Sequence, residues 1–379
     1  MHFDFATAAR IVFGEGEARR LAAIAGLDGG RSLVVTGSNP GRIQPLISHL
    51  SCSLFSVAGE PTIDLVRAGV EQARREQCGS VIAIGGGSAI DAGKAIAALL
   101  TNPGEPLDYL EVIGQGQPLL HPSAPFFALP TTAGSGAEVT RNAVLASPAH
   151  RVKASLRSPF LLPKAAIVDP ELTWSLPPSV TASTGLDAVT QLIEPYVSSR
   201  AGALTDLYCV EGLRRVAGCL QRAWESGADR EARAAMSWAS LLGGMALANA
   251  GLGVVHAFAA PVGGRWNAPH GAICAAVLPH AMEINIEALR RRAPASIALR
   301  RYDEIARIVT RQPHAIADDA VLWVADLCDR LEIPRLSAYG VTAGDLDDLS
   351  AKAAQTSSMK GNPIALSDEE LREIAIRAL

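Results

Sequence analysis

The sequence predicts two domains: an α/β domain over residues 1–179 and an all-α domain over residues 180–379. Three observations carry that reading. A chain of 379 residues exceeds one typical hydrophobic core. Its first half alternates short β-branched runs with amphipathic stretches, the pattern of a parallel sheet flanked by helices. From about Thr181 the β-branched runs stop and long Ala/Leu/Arg segments take over.

The predicted strands are "RSLVVTG" (31–37), "SCSLFSVAG" (51–59), "SVIAIGGGS" (80–88), "PFFALPTT" (125–132) and "AAIVDP" (165–170), apolar bursts closed by glycine or polar residues. Between the second and third lies "TIDLVRAGVEQARREQ" (62–77), an amphipathic helix. In the second half, residues 201–224, 229–250 and 314–331 read as long helices, and "LPPSV" (176–180) as a hinge. A ligand is expected in a cleft between the two domains.

Apolar residues make up 49 % of the chain and charged residues 19 %, with a mean hydropathy of +0.19, the profile of a globular protein with a generous core. A net charge of −4 carries no electrostatic footprint for nucleic acid. No uninterrupted apolar run reaches transmembrane length, so no membrane partner is expected. The start, "MHFDFATAARIVFGEG", lacks a basic stretch followed by an apolar core, so no signal peptide is expected. Six scattered cysteines without CxxC spacing read as buried thiols in a reducing compartment, and the expected setting is cytoplasmic.

"SVIAIGGGSAIDAGKAIAALL" is the strongest local signal. A buried strand runs into Gly85, Gly86 and Gly87, then Ser88, then a helix. Such a turn lets backbone approach a phosphate at a helix N-terminus; it also serves simply as a tight strand-to-helix connection. It is not a Walker A loop, because Ser88 and Ala95 stand where glycine and Ser/Thr are needed, and Ile90 breaks GxGxxG. "LPTTAGSGAEVTRNAV" (129–144) is dense in hydroxyls and small residues, which suits a loop lining a cofactor groove or a plain surface loop. Ala133 and Ala137 exclude a GxSxG nucleophile elbow around Ser135.

In "STGLDAVTQLIEPYV", Asp187 and Gln191 stand at i and i+4 on one helix face. His256 follows an apolar helical run, and His270 opens another. Fourteen residues apart, they meet only if the chain turns back. With Asp187 they would then form a two-histidine, one-carboxylate set suited to a divalent first-row metal; the alternative is ordinary structural histidines.

Taken in order, "GGGSAIDAGKAIA", "LPTTAGSGAEVT", "KAAIVDPELT", "STGLDAVTQLIEPYVS" and "GLGVVHAFAAPVGGRWNAPHGAICAAVLPH" resemble the iron-containing (group III) alcohol dehydrogenases. The likeness runs from "IVFGEG" near the start to "GNPIALSDEELREI" near the end. It implies a Rossmann-like N-terminal domain and an all-α metal-bearing domain, the dehydroquinate synthase-like fold, with NAD(P) as cofactor. The last two motifs point to the alcohol dehydrogenase branch rather than to dehydroquinate synthases or glycerol dehydrogenases. By this resemblance Gly86, Gly87 and Ser88 bind the pyrophosphate, with Asp91 and Lys94 completing the motif. Thr131, Thr132 and Ser135 line the cofactor groove, and Lys153 lies against the cofactor and joins His270 as a catalytic candidate. Asp187, His256 and His270 match three of four ligands to iron or zinc. Relatives are often dimers or larger.

Two departures matter. The fourth ligand, a histidine in the family, is Gln191, whose amide oxygen is a poorer donor than imidazole, so a weakened metal site is expected. A relay histidine four residues after His256 is Ala260. Gly37 and Ser38 stand where NAD-preferring relatives carry an acid, which permits NADP(H). The reading is metal-assisted hydride transfer between NAD(P) and a small alcohol or carbonyl substrate. A metal-independent reductase of an oxoacid, like the maleylacetate reductases, and a non-catalytic nucleotide-binding protein are the alternatives.

Overall fold

A computed structural model describes residues 3–26, 29–266 and 268–379 and divides the chain into two compact units. One unit comprises Ala6–Thr132 and Gly136–Trp174. The other comprises Ser175–Leu379 with Ala133–Ser135 and the residues up to Phe5.

The first unit contains β1 (Ile11–Phe13), α1 (Leu21–Ala25), β2 (Ser32–Thr36), α2 (Gln44–Ile47), β3 (Cys52–Ser56), α3 (Ile63–Arg75), β4 (Ser80–Gly85), α4 (Gly87–Thr101), α5 (Pro106–Tyr109), β5 (Phe126–Pro130), β6 (Asn142–Ser147), β7 (Val152–Arg157) and β8 (Ala165–Val168). Six strands form one parallel sheet in the order β1-β8-β5-β4-β2-β3. Both faces are covered, which is why β2, β4 and β5 are buried at every position. Leu33, Val35, Val81 and Ala83 pack with α3 and α4 residues on one face, while Val34, Ile82, Ile84 and Leu129 fill the other.

The chain leaves β2 for β3 on one side and leaves β4 for β5 on the other. The winding therefore reverses between β2 and β4, and ligands of such sheets bind beyond the carboxyl ends of the strands at that point. β6 and β7 form a separate antiparallel hairpin that begins at the end of the stretch read as loop, 129–144, and continues beyond it. Their alternating burial is carried by Ala143, Leu145, Ala154 and Leu156, too weak a β signal to stand out in sequence.

The second unit is helical: α6 (Pro178–Val197), α7 (Ala203–Glu225), α8 (Arg230–Ala250), α9 (Val254–Trp266), α10 (His270–Arg292), α11 (Ile297–Thr310), α12 (Ala317–Arg330), α13 (Leu346–Ala354) and α14 (Asp368–Arg377). The segment read as a hinge instead opens α6. Pro177 caps it and Pro178 sits in the first turn, where a missing N–H is harmless. α6 packs against α7, α8 and α10 and is buried from Gly185 to Val197. α8 and α9 meet at 100° across a short break that contains Gly251, whose φ of +75° suits glycine. α10 is long and apolar enough to span a bilayer by composition, yet its apolar side chains are buried among α6, α9 and α12.

Candidate metal centre and nucleotide-binding turn

Three helices bring four donor atoms to one point. α6 supplies Asp187, the bend into α9 supplies His256, and α10 opens on His270 and carries Cys274 one turn later. One ligand atom from each of the four lies within 4.8 Å of every other. His256 Nε2 is 3.4 Å and His270 Nε2 3.8 Å from Asp187 Oδ1; Cys274 Sγ is 3.7 Å from His270 Nε2. The close approach of α10 to α6 is permitted by Gly271, where a Cβ would meet the Ser183 carbonyl oxygen at 2.2 Å.

These separations are those of a coordination shell. Donors about 2.0–2.3 Å from a shared ion stand roughly 2.8–3.8 Å apart at tetrahedral or octahedral angles. The buried atoms Asp187 Oδ1 and His256 Nε2 make no hydrogen bond among the described residues, and Gln191 Oε1 also lacks a partner. Unpaired buried polar atoms are costly, so Asp187 Oδ1 and His256 Nε2, 3.4 Å apart, mark a place built for something else to bind. The residues therefore fit a divalent cation.

The electrostatics agree. Burial pushes the Asp187 carboxyl up, but the His270 and His256 rings and an amide hydrogen bond from Gln191 outweigh it and leave its pKa below the usual range. Burial pushes the His256 ring down, yet Cys274, Glu194 and Asp187 hold its pKa well above the ordinary value. Burial raises the Cys274 thiol, and the two imidazoles more than reverse that. Acidic and imidazole groups thus hold one another in their charged forms.

Two residues of this centre escaped sequence reading. Glu194, one turn after Gln191 on α6, accepts a hydrogen bond from His256 Nδ1 at 2.6 Å and from the Val255 N–H at 2.7 Å. It fixes the tautomer that leaves His256 Nε2 with a lone pair facing the cluster. Its seven-residue offset from Asp187 was a usable signal, because i and i+7 share a helix face. Cys274 lies four residues after His270 on one helix, a His–Cys spacing that places both on one face. Gln191 is buried on α6 beside Asp187. Ala260, one turn after His256, offers no proton carrier.

In the α/β unit, Gly86, Gly87 and Ser88 form the β4-to-α4 turn. Gly86 stands at the N-cap of a fifteen-residue helix with no side-chain cap; Ala89 and Ile90 donate to its carbonyl, which leaves the N–H groups of Gly87 and Ser88 without an intrahelical acceptor. A Cβ on Gly86 would stand 3.3 Å from Thr132 Cγ2, so this glycine keeps a narrow cradle open. Thr131 donates its N–H to the Gly85 carbonyl at 2.9 Å. Gly37 follows β2, the neighbour of β4, and a Cβ there would meet nothing within 4 Å; Ser38 beside it is exposed. These residues stand at the carboxyl ends of β2, β4 and β5, where the winding reverses, and they fit a dinucleotide.

Other predicted residues lie elsewhere. Asp91 Oδ2 accepts the Val144 N–H at 3.1 Å. Lys94 is fully buried and gives its three N–H groups to Thr140 O, Thr140 Oγ1 and Asn142 O at 2.7–2.9 Å. Both residues tie α4 to the β6 strand. Lys153, on β7, is buried and paired with Glu60 at 2.8 Å. Ser135 groups with the helical unit rather than with Thr131 and Thr132.

Comparison with known proteins follows the same division. Residues 8–170 match the family described as iron-containing alcohol dehydrogenase, and residues 181–379 match the C-terminal family of Fe-containing alcohol dehydrogenases. Alcohol dehydrogenase 4 of Saccharomyces cerevisiae is 33% identical over 377 residues, covering 97% of this chain and 96% of that protein. A crystal structure of 1,3-propanediol oxidoreductase superposes with a TM-score of 0.90 at 31% identity, covering 100% of both chains. The sulfoacetaldehyde reductase of Bifidobacterium kashiwanohense, solved in complex with NAD+, superposes with a TM-score of 0.86 at 30% identity, covering 99% and 98%.

Proposed function

The chain belongs to the iron-containing alcohol dehydrogenase family, an NAD(P)-dependent oxidoreductase interconverting alcohols and aldehydes or ketones, and we propose that its helical unit works with a bound divalent cation, iron or zinc. The observation that carries this proposal is the convergence of Asp187, His256 and His270 with buried donor atoms left unpaired. Asp187, His256 and His270 would hold the ion, and the ion would supply Lewis acidity toward the substrate oxygen.

The protein's own residues divide the remaining work. Asp187 supplies charge and His256 a lone pair, while Glu194 holds the His256 ring in register through Nδ1. As a ligand, His270 is not available as a proton carrier, and Ala260 cannot serve as one. The hydroxyl proton then travels through water or a cofactor hydroxyl. Gly86, Gly87 and Ser88 receive the pyrophosphate on backbone N–H groups, with Thr131 and Thr132 beside them. Lys153, on β7, is engaged by Glu60 and takes no part in this division of work. The open space at Gly37, with no acid in place, supports use of NADP(H) as well as NAD(H).

A panel of primary alcohols, diols and aldehydes, run with both cofactors and with chelator, Fe²⁺ or Zn²⁺, tests the proposal. Turnover that chelator abolishes and one of the ions restores is expected. Turnover indifferent to chelator would instead favour metal-independent carbonyl reduction in the same fold.

A further inference from the structure

Resting on the metal-dependent reading above, we propose that the thiolate of Cys274 is the fourth protein ligand at this centre, and that it makes the site selective for zinc. Gln191 occupies the fourth ligand's place in sequence. Cys274 occupies it in space.

The argument is geometric. α10 begins at His270, so Cys274 follows on the same face one turn later, and its Sγ lies 3.7 Å from His270 Nε2. That distance is close to the separation of a sulfur and a nitrogen on a tetrahedral ion with bonds of about 2.3 and 2.1 Å. The Cys274 side chain is fully buried, and its ligand atom lies within 4.8 Å of the unpaired Asp187 Oδ1 and His256 Nε2. Cys328, another buried cysteine, turns its thiol to the Ala275 carbonyl instead. Cys274 alone among the described cysteines joins a convergent set of donors.

Gln191 is the rival donor, since its Oε1 is also buried without a partner among the described residues. In a choice between the two donors, a thiolate binds a borderline ion such as Zn²⁺ more strongly than a neutral amide oxygen does. The number of protein ligands then remains four, with imidazole exchanged for sulfur rather than for an amide. An oxygen and nitrogen set suits Fe²⁺ well; adding thiolate moves the preference toward zinc.

The test uses the full-length chain freed of metal. Co²⁺ is titrated in as a spectroscopic probe, because thiolate ligation adds an intense near-ultraviolet charge-transfer band that nitrogen and oxygen ligands do not produce. The expected result is one equivalent of Co²⁺ with that band, retained in Gln191→Ala and lost in Cys274→Ser. Zn²⁺ affinity should fall by more than about tenfold in Cys274→Ser and by less in Gln191→Ala. X-ray absorption of the Zn²⁺-loaded wild-type chain adds a measurement independent of any variant: one sulfur at about 2.3 Å is expected in the zinc shell. Stoichiometric Co²⁺ without the band, or a zinc shell without sulfur, overturns the proposal and leaves the metal site standing. Failure of the wild-type chain to bind Co²⁺ or Zn²⁺ overturns both.

Discussion

Glu194→Gln is the sharpest probe of how the metal centre is held. The substitution changes no shape, and the carboxylate it replaces is buried, with Oε1 on the Val255 N–H at 2.7 Å and Oε2 on His256 Nδ1 at 2.6 Å. It cannot swing aside, because it lies against the backbone at Gly253, where even a Cβ would come within 2.9 Å of Oε1. An amide offers one acceptor and one donor. The Val255 N–H can only donate, so it takes the amide oxygen, and the amide NH₂ then faces His256 Nδ1. To accept that bond the imidazole must move its proton to Nε2, which removes the lone pair the cation needs. Losing such a supporting partner weakens metal binding about 10- to 100-fold, or ~1.4–2.7 kcal/mol. Competition against a chromophoric chelator measures this directly, with thermal unfolding of the metal-free forms as the control for folding. Unchanged Zn²⁺ and Fe²⁺ affinity in a variant that folds normally would refute the argument.

Three further outcomes follow from other parts of the molecule. Gly37→Asp is sterically free, because its backbone is not left-handed and the space beyond it is open; it should lower the ratio of kcat/KM for NADPH over NADH by roughly tenfold through like-charge repulsion. An unchanged ratio would separate Gly37 from cofactor choice. Gly271→Ala drives a methyl into the Ser183 carbonyl and toward Asp187, and should cost about 1–3 kcal/mol in chemical denaturation while weakening metal binding as α10 shifts. Glu138 lies buried with Oε2 unpaired, and burial pushes its pKa to about 7, against an ordinary value near 4.5. The folded state therefore holds the extra proton between those values, and this residue's contribution to stability falls as pH rises from about 4.5 to about 7. Glu138→Gln should remove that fall, on the order of 3 kcal/mol, from the difference between wild-type and variant denaturation curves across the window. Parallel curves would count against it.

What was legible beforehand followed physical contrast. β2, β4, β5 and β8 announced themselves because a strand buried on both faces must be apolar throughout and must end in residues that turn. β1 did not, being three residues at an edge, nor did the β6–β7 hairpin, whose strands each carry a single β-branched residue, Val144 or Val152, among alanine, serine and polar neighbours. Asp187, His256 and His270 were legible as types, but their meeting depended on the 100° bend between α8 and α9, which no local pattern encodes. Cys274 and Glu194 offered only a shared helix face with His270 and Asp187 as a signal, for a related reason. Each is ordinary in isolation and acquires a role only from what another helix places beside it. Lys94 is the converse case: in sequence it completes a phosphate-binding motif, but in the fold its three donors are consumed by Thr140 and Asn142.

The central claim is that this chain binds one divalent cation through Asp187, His256 and His270 and needs it for turnover. Elemental analysis of metal per chain decides it most directly, after equilibration with Zn²⁺ or Fe²⁺ and removal of excess ion, in the wild type and in Asp187→Asn. The account predicts about one ion per wild-type chain, activity that rises with occupancy, and little of either in the variant. Full turnover in wild-type protein carrying no stoichiometric metal would contradict it.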